Sequence, residues 1–202
     1  MKYLKEQLFP TEVYIVDDVL EDEYLDSMKE DILNESKDYK DKNFQSRPDI
    51  HKSPKYKPLA NKVNEITTLV FKDKKYLYER FEITDMWSNI LKPNEAHRPH
   101  THSNNILSGV FYVDAPVNAP GIQFYDPRPA AGVLNPKLEA FTKSNATAWE
   151  LFAKTNTMYL FPAWLQHLVP INHTDSNRIS IAFNVMLKGL VGEPTDFQSA
   201  EF

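Results

Sequence analysis

The sequence predicts an α+β, mainly β domain: a sheet sandwich or small barrel backed by two N-terminal helices. Two observations carry this. Apolar residues recur at helical spacing in two stretches before residue 76, and from residue 76 onward the period changes to two. Short runs of that second kind, separated by turn residues, follow one another to about residue 188. Helices first and then a succession of strands is the pattern of a layered sheet structure with helices on one side.

Thr11–Val16 reads as an opening strand. From Glu21 to Asn34, Tyr24, Leu25, Met28 and Ile32 recur at helical spacing and predict an amphipathic helix. Residues 35–57 are polar, lysine-rich and punctuated by proline, which predicts a long surface loop. A second helix carries Leu59, Val63, Ile66 and Val70 at i, i+4, i+7 and i+11, with Pro58 suited to its first turn. Both helices read as a buttress for a sheet. The strand candidates are Tyr78–Ile90, Asn105–Val113, Gly121–Tyr125, Thr157–Phe161, Gln166–Ile171 and Arg178–Leu187. Residues 127–156 carry little periodicity. So long an irregular connection is characteristic of a lid or binding loop, with Arg128, Phe141, Trp149 and Phe152 as its selective residues.

The 202 residues suit one domain with a sizeable core and are short for two. There is no cysteine, which excludes disulfides, thiolate metal sites and cysteine nucleophiles; any metal must be held by nitrogen and oxygen. No apolar run resembles a signal segment or approaches a membrane span, so a cytoplasmic protein is expected. A net charge of −5 argues against general nucleic-acid binding. The charge is uneven, with eleven Lys/Arg against five Asp/Glu in residues 37–77. That segment is either a solvated surface or a basic flank that steers an acidic partner or cosubstrate.

The chemistry lies in two separated fragments. In RISIAFNVML, from Arg178 to Leu187, the odd positions are large and apolar while Arg178, Ser180, Ala182 and Asn184 are polar or small. Alternation sends the two sets to opposite faces. An arginine on an inner face needs a partner, and a bidentate carboxylate suits it, whether from a ligand or from a protein Asp or Glu. His167 lies among Phe161, Trp164, Leu165, Leu168 and Val169, near the interior. His100 and His102 are two apart, so in extended backbone both rings project to one side and can converge on an ion. Imidazoles suit iron, zinc, copper or nickel. Tyr112 falls on the same face as Ser108 and Val110 and so can share a polar interior with Arg178. His97 would crowd a three-ligand segment stiffened by Arg98-Pro99, and reads as a supporting or surface residue.

Together these fragments resemble the iron- and 2-oxoglutarate-dependent oxygenases. More narrowly, HTHSNNILSGVFYV, then GIQFYDPR, LFPAWLQHLVP and RISIAFN, from about Trp87 to Leu187, resemble an oxygenase family common in tailed phages and some marine bacteria. The resemblance implies a double-stranded β-helix (a jelly-roll, cupin-like barrel) flanked by helices. One domain then spans 1–202: a helical buttress and basic loop to about 77, the jelly-roll core over about 78–190, and a tail from 191. It implies Fe(II), 2-oxoglutarate as cosubstrate and O2. His100 would be the first ligand and His167 the distal one. Arg178 would grip the far carboxylate of 2-oxoglutarate, with Ser180 supporting and Tyr112 donating to it. One departure stands out: the family's usual third ligand is a carboxylate two after the first histidine, and here that position is His102. Asp126 is the alternative third ligand. Ser103 stands where relatives tend to carry proline.

The leading expectation is therefore a dioxygenase, a hydroxylase of prolyl-hydroxylase type, converting 2-oxoglutarate to succinate while oxidizing a peptide, nucleobase or metabolite. A phage-encoded copy would act in the host cytoplasm. Two alternatives are a cupin-like metalloprotein that uses no 2-oxo acid and a noncatalytic, virion-associated binding module. An inward arginine opposite the metal separates the first alternative from the oxygenase.

Overall fold

A computed structural model describes residues 1–37 and 44–202. The helices are α1 (Asp22–Ser36) and α2 (Lys57–Asp73). The strands are β1 (Tyr14–Val16), β2 (Phe44–Gln45), β3 (Arg80–Leu91), β4 (His97–His100), β5 (Leu107–Asp114), β6 (Ile122–Tyr125), β7 (Ala148–Leu151), β8 (Thr157–Pro162), β9 (His167–Val169), β10 (Arg178–Lys188), β11 (Leu190–Val191) and β12 (Ala200–Glu201). Residues 38–43, part of the expected 35–57 loop, lie outside the described residues. The rest of that stretch holds β2 and two short 3-10 turns, Ile50–Lys52 and Pro54–Tyr56.

Both helices form where the apolar stripe predicts. α1 begins at Glu21 in extended backbone, carries Asp22 and Glu23 in its first turn, where they complement the helix dipole, and buries Leu25, Met28 and Ile32. Tyr24, expected in that stripe, stays exposed. α2 has Pro58 in its first turn, where a missing N–H costs nothing, and buries Leu59, Val63, Ile66, Val70 and Phe71.

Two antiparallel sheets follow, in strand order β1-β8-β5-β10-β3-β2 and β4-β9-β6-β7, with β11 and β12 as a separate ribbon. Two cores define the layers. The larger packs α1 and α2 against one face of the six-stranded sheet, through Met86, Phe111, Met158, Ile181 and Phe183 among others. The smaller fills the space between the sheets with Val110, Tyr112, Ile122, Phe124, Tyr159, Phe161 and Leu165. This is the face-to-face double sheet of a jelly roll. β10 shows why the odd–even split matters. Ile179, Ile181, Phe183, Val185 and Leu187 belong to the helix-side core, which turns Arg178, Ser180 and Asn184 toward the space between the sheets. Among the described residues, no helix is long and apolar enough to cross a membrane.

Gly109 sits opposite Phe183 where β5 and β10 pair. A Cβ there would run into the Phe183 ring and come 2.7 Å from the Tyr159 carbonyl. Both obstacles are locked in the sheet. Gly109→Ala is therefore expected to destabilize the fold by about 1–3 kcal/mol, the usual cost of overpacking, read as a lowered midpoint in chemical denaturation. An unchanged midpoint would show that Phe183 can yield.

Candidate active site

Register in the smaller sheet assembles the imidazoles. His100 on β4 lies directly opposite His167 on β9, and His167 lies opposite Phe124 on β6, which in turn faces Trp149 on β7. Opposed residues share a face and sit within side-chain reach, so the two histidine rings come to 4.4 Å between centroids. His102 lies just past β4, where its backbone N–H donates to the Ala163 carbonyl at 2.9 Å. That bond folds the loop back, and the His102 ring stacks on His167 at 5.2 Å with 17° between planes. One nitrogen from each ring lies within 4.8 Å of the others. Among the described residues this metal-competent group holds three imidazoles and no carboxylate.

Two of the rings are oriented alike. His100 Nδ1 donates to the Arg98 carbonyl at 2.8 Å and His167 Nδ1 to the Leu165 carbonyl at 2.8 Å, each two residues back along the chain. A neutral imidazole that gives its Nδ1 proton to a carbonyl keeps the Nε2 lone pair free for a metal. No sequence signal marks these carbonyls, because they belong to the backbone. β4 itself went unpredicted, since His97–His100 contains a proline and no apolar alternation.

Burial, reinforced by the charges the neighboring rings would carry, lowers His167 to about 4 against an ordinary 6.5; its bond to the Leu165 carbonyl works the other way. Burial first and His100 second lower His102 to about 4. Both rings are thus neutral, as ligands must be, well below pH 7. Between about 6.5 and about 4 the unfolded chain binds more protons at these rings than the folded one. The metal-free protein is expected to lose stability as pH falls through that window, and His167→Gln to flatten the loss. Equal pH profiles of melting temperature for the two proteins would contradict it.

Arg178 and Tyr112 occupy the adjoining interior. Arg178 is 2 % exposed and its Nε and Nη1 have no hydrogen-bond partner. Its guanidinium carbon stands 5.3 Å from the center of the Tyr112 ring, and the Tyr112 hydroxyl is likewise buried without a partner. Ser180 is buried opposite Tyr112 across the β10–β5 ladder. Burial raises the Tyr112 phenol and outweighs the opposing pull of Arg178, so Tyr112 is a proton donor at neutral pH. Burial lowers the Arg178 guanidinium, with Tyr112 opposing. These donors fit an anionic ligand carrying several acceptor oxygens.

The other expected residues are not among the three clustered imidazoles. The Asp126 carboxylate takes two bonds from the Arg128 guanidinium, at 2.9 and 2.7 Å, and one from its backbone N–H at 3.0 Å. Those bonds, the Arg128 side chain first, hold Asp126 below the usual carboxylate range. His97 lies opposite Val169, and burial followed by the Arg178 charge lowers it to about 4. Within 127–156 the structure adds β7, whose Trp149 is half-buried, while Phe141 and Phe152 are exposed. Ser108 and Asn184 form a buried pair, Ser108 Oγ donating to Asn184 Oδ1 at 2.8 Å. Face parity puts both inside, yet only the strand register reveals the bond.

No curated protein matches the chain in sequence. A family model described as "Putative 2OG-Fe(II) oxygenase" matches residues 85–184, which include all three imidazoles, Tyr112, Arg178 and Ser180. Among solved structures, the viral collagen prolyl hydroxylase of Paramecium bursaria Chlorella virus-1 is similar, with 13% identity over 86% of this chain and 94% of its own and a TM-score of 0.57. A prolyl-4-hydroxylase of Pseudomonas putida shares 9% identity over 89% of this chain and 94% of its own, with a TM-score of 0.65. HygX of Streptomyces hygroscopicus, solved with nickel and 2-oxoglutarate, shares 12% identity over 95% and 91%, with a TM-score of 0.63. At such identities the structures speak for the fold, a double-stranded β-helix, while the family match extends to the chemistry. The chain belongs to the 2OG-Fe(II) oxygenases and is an enzyme that depends on iron(II), 2-oxoglutarate and O2.

Proposed function

We propose that the protein is a hydroxylase of prolyl-hydroxylase type, in which His100, His102 and His167 would hold iron(II) and Arg178, Ser180 and Tyr112 the far carboxylate of 2-oxoglutarate. The buried guanidinium of Arg178, with two of its nitrogens unpartnered, carries this reading. A charge so placed is costly until an anion meets it, and a carboxylate can accept two N–H bonds from the guanidinium fork. Tyr112 adds a third donor that stays protonated. A cupin-like metal site would use the imidazoles but has no work for this arginine. Asp126, engaged by Arg128, is left to order its own loop, and His102 serves as third ligand.

When bound, iron(II) chelated by a 2-oxo acid supplies oxygen activation, coupling decarboxylation of the cosubstrate to succinate with oxidation of a substrate. The protein's own groups position and shield. The Arg98 and Leu165 carbonyls fix the ring orientation of His100 and His167. Phe161, 4.8 Å from the His167 ring, and Trp87, 6.0 Å from that of His102, keep water from two sides of the cluster. We take residues 1–202 as one domain, with α1 and α2 bracing the larger sheet and the irregular residues 127–147, ahead of β7, as the lid over the mouth. The prolyl class rests on the fold shared with the viral and Pseudomonas putida hydroxylases.

The test is direct. Anaerobic protein with Fe(II) is expected to develop a weak visible charge-transfer band only when 2-oxoglutarate is added. With O2 and proline-containing peptides it is expected to form succinate in step with a one-oxygen mass gain on proline. Bound iron without the band would remove the cosubstrate assignment. The band together with unmodified peptides and unstimulated succinate formation would remove the prolyl class.

A further inference from the structure

Register aligns four polar side chains in one row across the inner face of the larger sheet. Gln45 on β2 lies opposite Asn89 on β3, Asn89 opposite Ser180 on β10, and Ser180 opposite Tyr112 on β5. Opposed residues share a face, so Asn89 looks into the same interior as Ser180 and Tyr112, while Gln45 marks the exposed edge of that row. Arg178, two residues before Ser180 on the same strand, shares that face as well. Asn89 is 4% exposed. Its Oδ1 accepts from Gln45 Nε2 at 3.0 Å. A side-chain amide is planar, with oxygen and nitrogen at opposite corners. Tying Oδ1 toward β2 therefore turns the Nδ2 donors toward β10, where Ser180 stands. The wall that results offers donors from Arg178, Tyr112 and Asn89.

We infer that Asn89 is a further cosubstrate-binding residue, donating to an oxygen of the 2-oxo acid, and that Gln45 is a positioning residue that aims it. The inference rests on the cosubstrate site proposed above. It also gives the N-terminal half a part in the site, because Gln45 lies outside the matched residues 85–184. The pocket is then completed by a two-residue edge strand ahead of α2.

Calorimetric titration of 2-oxoglutarate into the full-length protein loaded with Mn(II) tests this. Asn89→Asp keeps the size of the side chain and the acceptor for Gln45, so a merely structural role survives the exchange. A donor role does not, since the new carboxyl group faces an anion. Asn89→Asp is expected to weaken 2-oxoglutarate about tenfold or more, because the new carboxylate replaces a donor, repels the anionic cosubstrate and competes with it for Arg178. Mn(II) affinity should stay as in wild type. Asn89→Ala should lose about tenfold, and Gln45→Ala a smaller factor. Wild-type affinity in both Asn89 variants would overturn the inference, as would a loss matched by weaker Mn(II) binding. Arg178→Ala distinguishes the two levels. If it loses the cosubstrate while both Asn89 variants keep it, only this inference fails; if wild type itself binds none, the cosubstrate site fails with it.

Discussion

Arg178→Met is expected to abolish 2-oxoglutarate binding and, in the same protein, to raise the melting temperature measured without cosubstrate. The two effects have one cause. The guanidinium is 2% exposed and two of its nitrogens are unpartnered, so the cosubstrate-free fold carries the desolvation cost of a charge without its compensation. Methionine fills a similar volume without that cost. Replacing buried ionic groups by well-packed apolar ones commonly stabilizes by about 1–4 kcal/mol. Binding moves the other way, because a carboxylate brought against methionine loses its water and gains no donor. Removing one partner of a buried charge pair costs roughly 2–5 kcal/mol, or about 30-fold to several thousandfold in affinity. Calorimetry with 2-oxoglutarate and a thermal melt without it read the two halves. Retained affinity would take Arg178 out of the site. A lowered melting temperature would mean that the guanidinium has a protein partner worth more than its desolvation.

His167→Ala is expected to remove the metal. His167 is 4% exposed, is clamped by its bond to the Leu165 carbonyl, and lies across the ladder from His100. Losing it leaves His100 exposed and His102 half-buried, two donors two residues apart at and just past the end of β4, with no third imidazole facing them. Loss of a group that merely orients a ligand costs roughly 10- to 100-fold in metal affinity, and loss of a ligand should exceed that. Metal content after dialysis and the stabilization gained on adding Fe(II) or Mn(II) give the readout. Full occupancy in the variant would undo the assignment. His102→Ala should behave similarly and Asp126→Asn like wild type; the reverse order would move the third ligand to Asp126.

Much of this was legible in the sequence because periodicity is a local property. The stripe Leu25, Met28 and Ile32 and the row from Leu59 to Val70 required helices with one buried face, and those faces meet the larger sheet. The parity of β10 separated Arg178, Ser180 and Asn184 from the apolar residues between them before any partner strand was known. What escaped in the two main sheets were elements without a period: β4 with its proline, four-residue β7 and two-residue β2. Their backbone is extended because a neighboring strand supplies its hydrogen bonds, and that neighbor is distant in sequence. For the same reason Trp149, read as part of an irregular lid, is a sheet residue facing Phe124.

By itself, the sequence determined which atoms were available and toward which side each would face: nitrogen and oxygen donors only, two histidines on one loop, a third near the interior, and an arginine on an inner face. Whether Arg178 met a protein carboxylate was not a local question. The tertiary structure decided it, along with the opposition of His100 to His167, the pairing of Asp126 with Arg128 and the link from Gln45 to Asn89. Face parity depends on a residue's own strand, whereas proximity across a sheet depends on register. Register is set by the fit of whole faces between strands far apart along the chain.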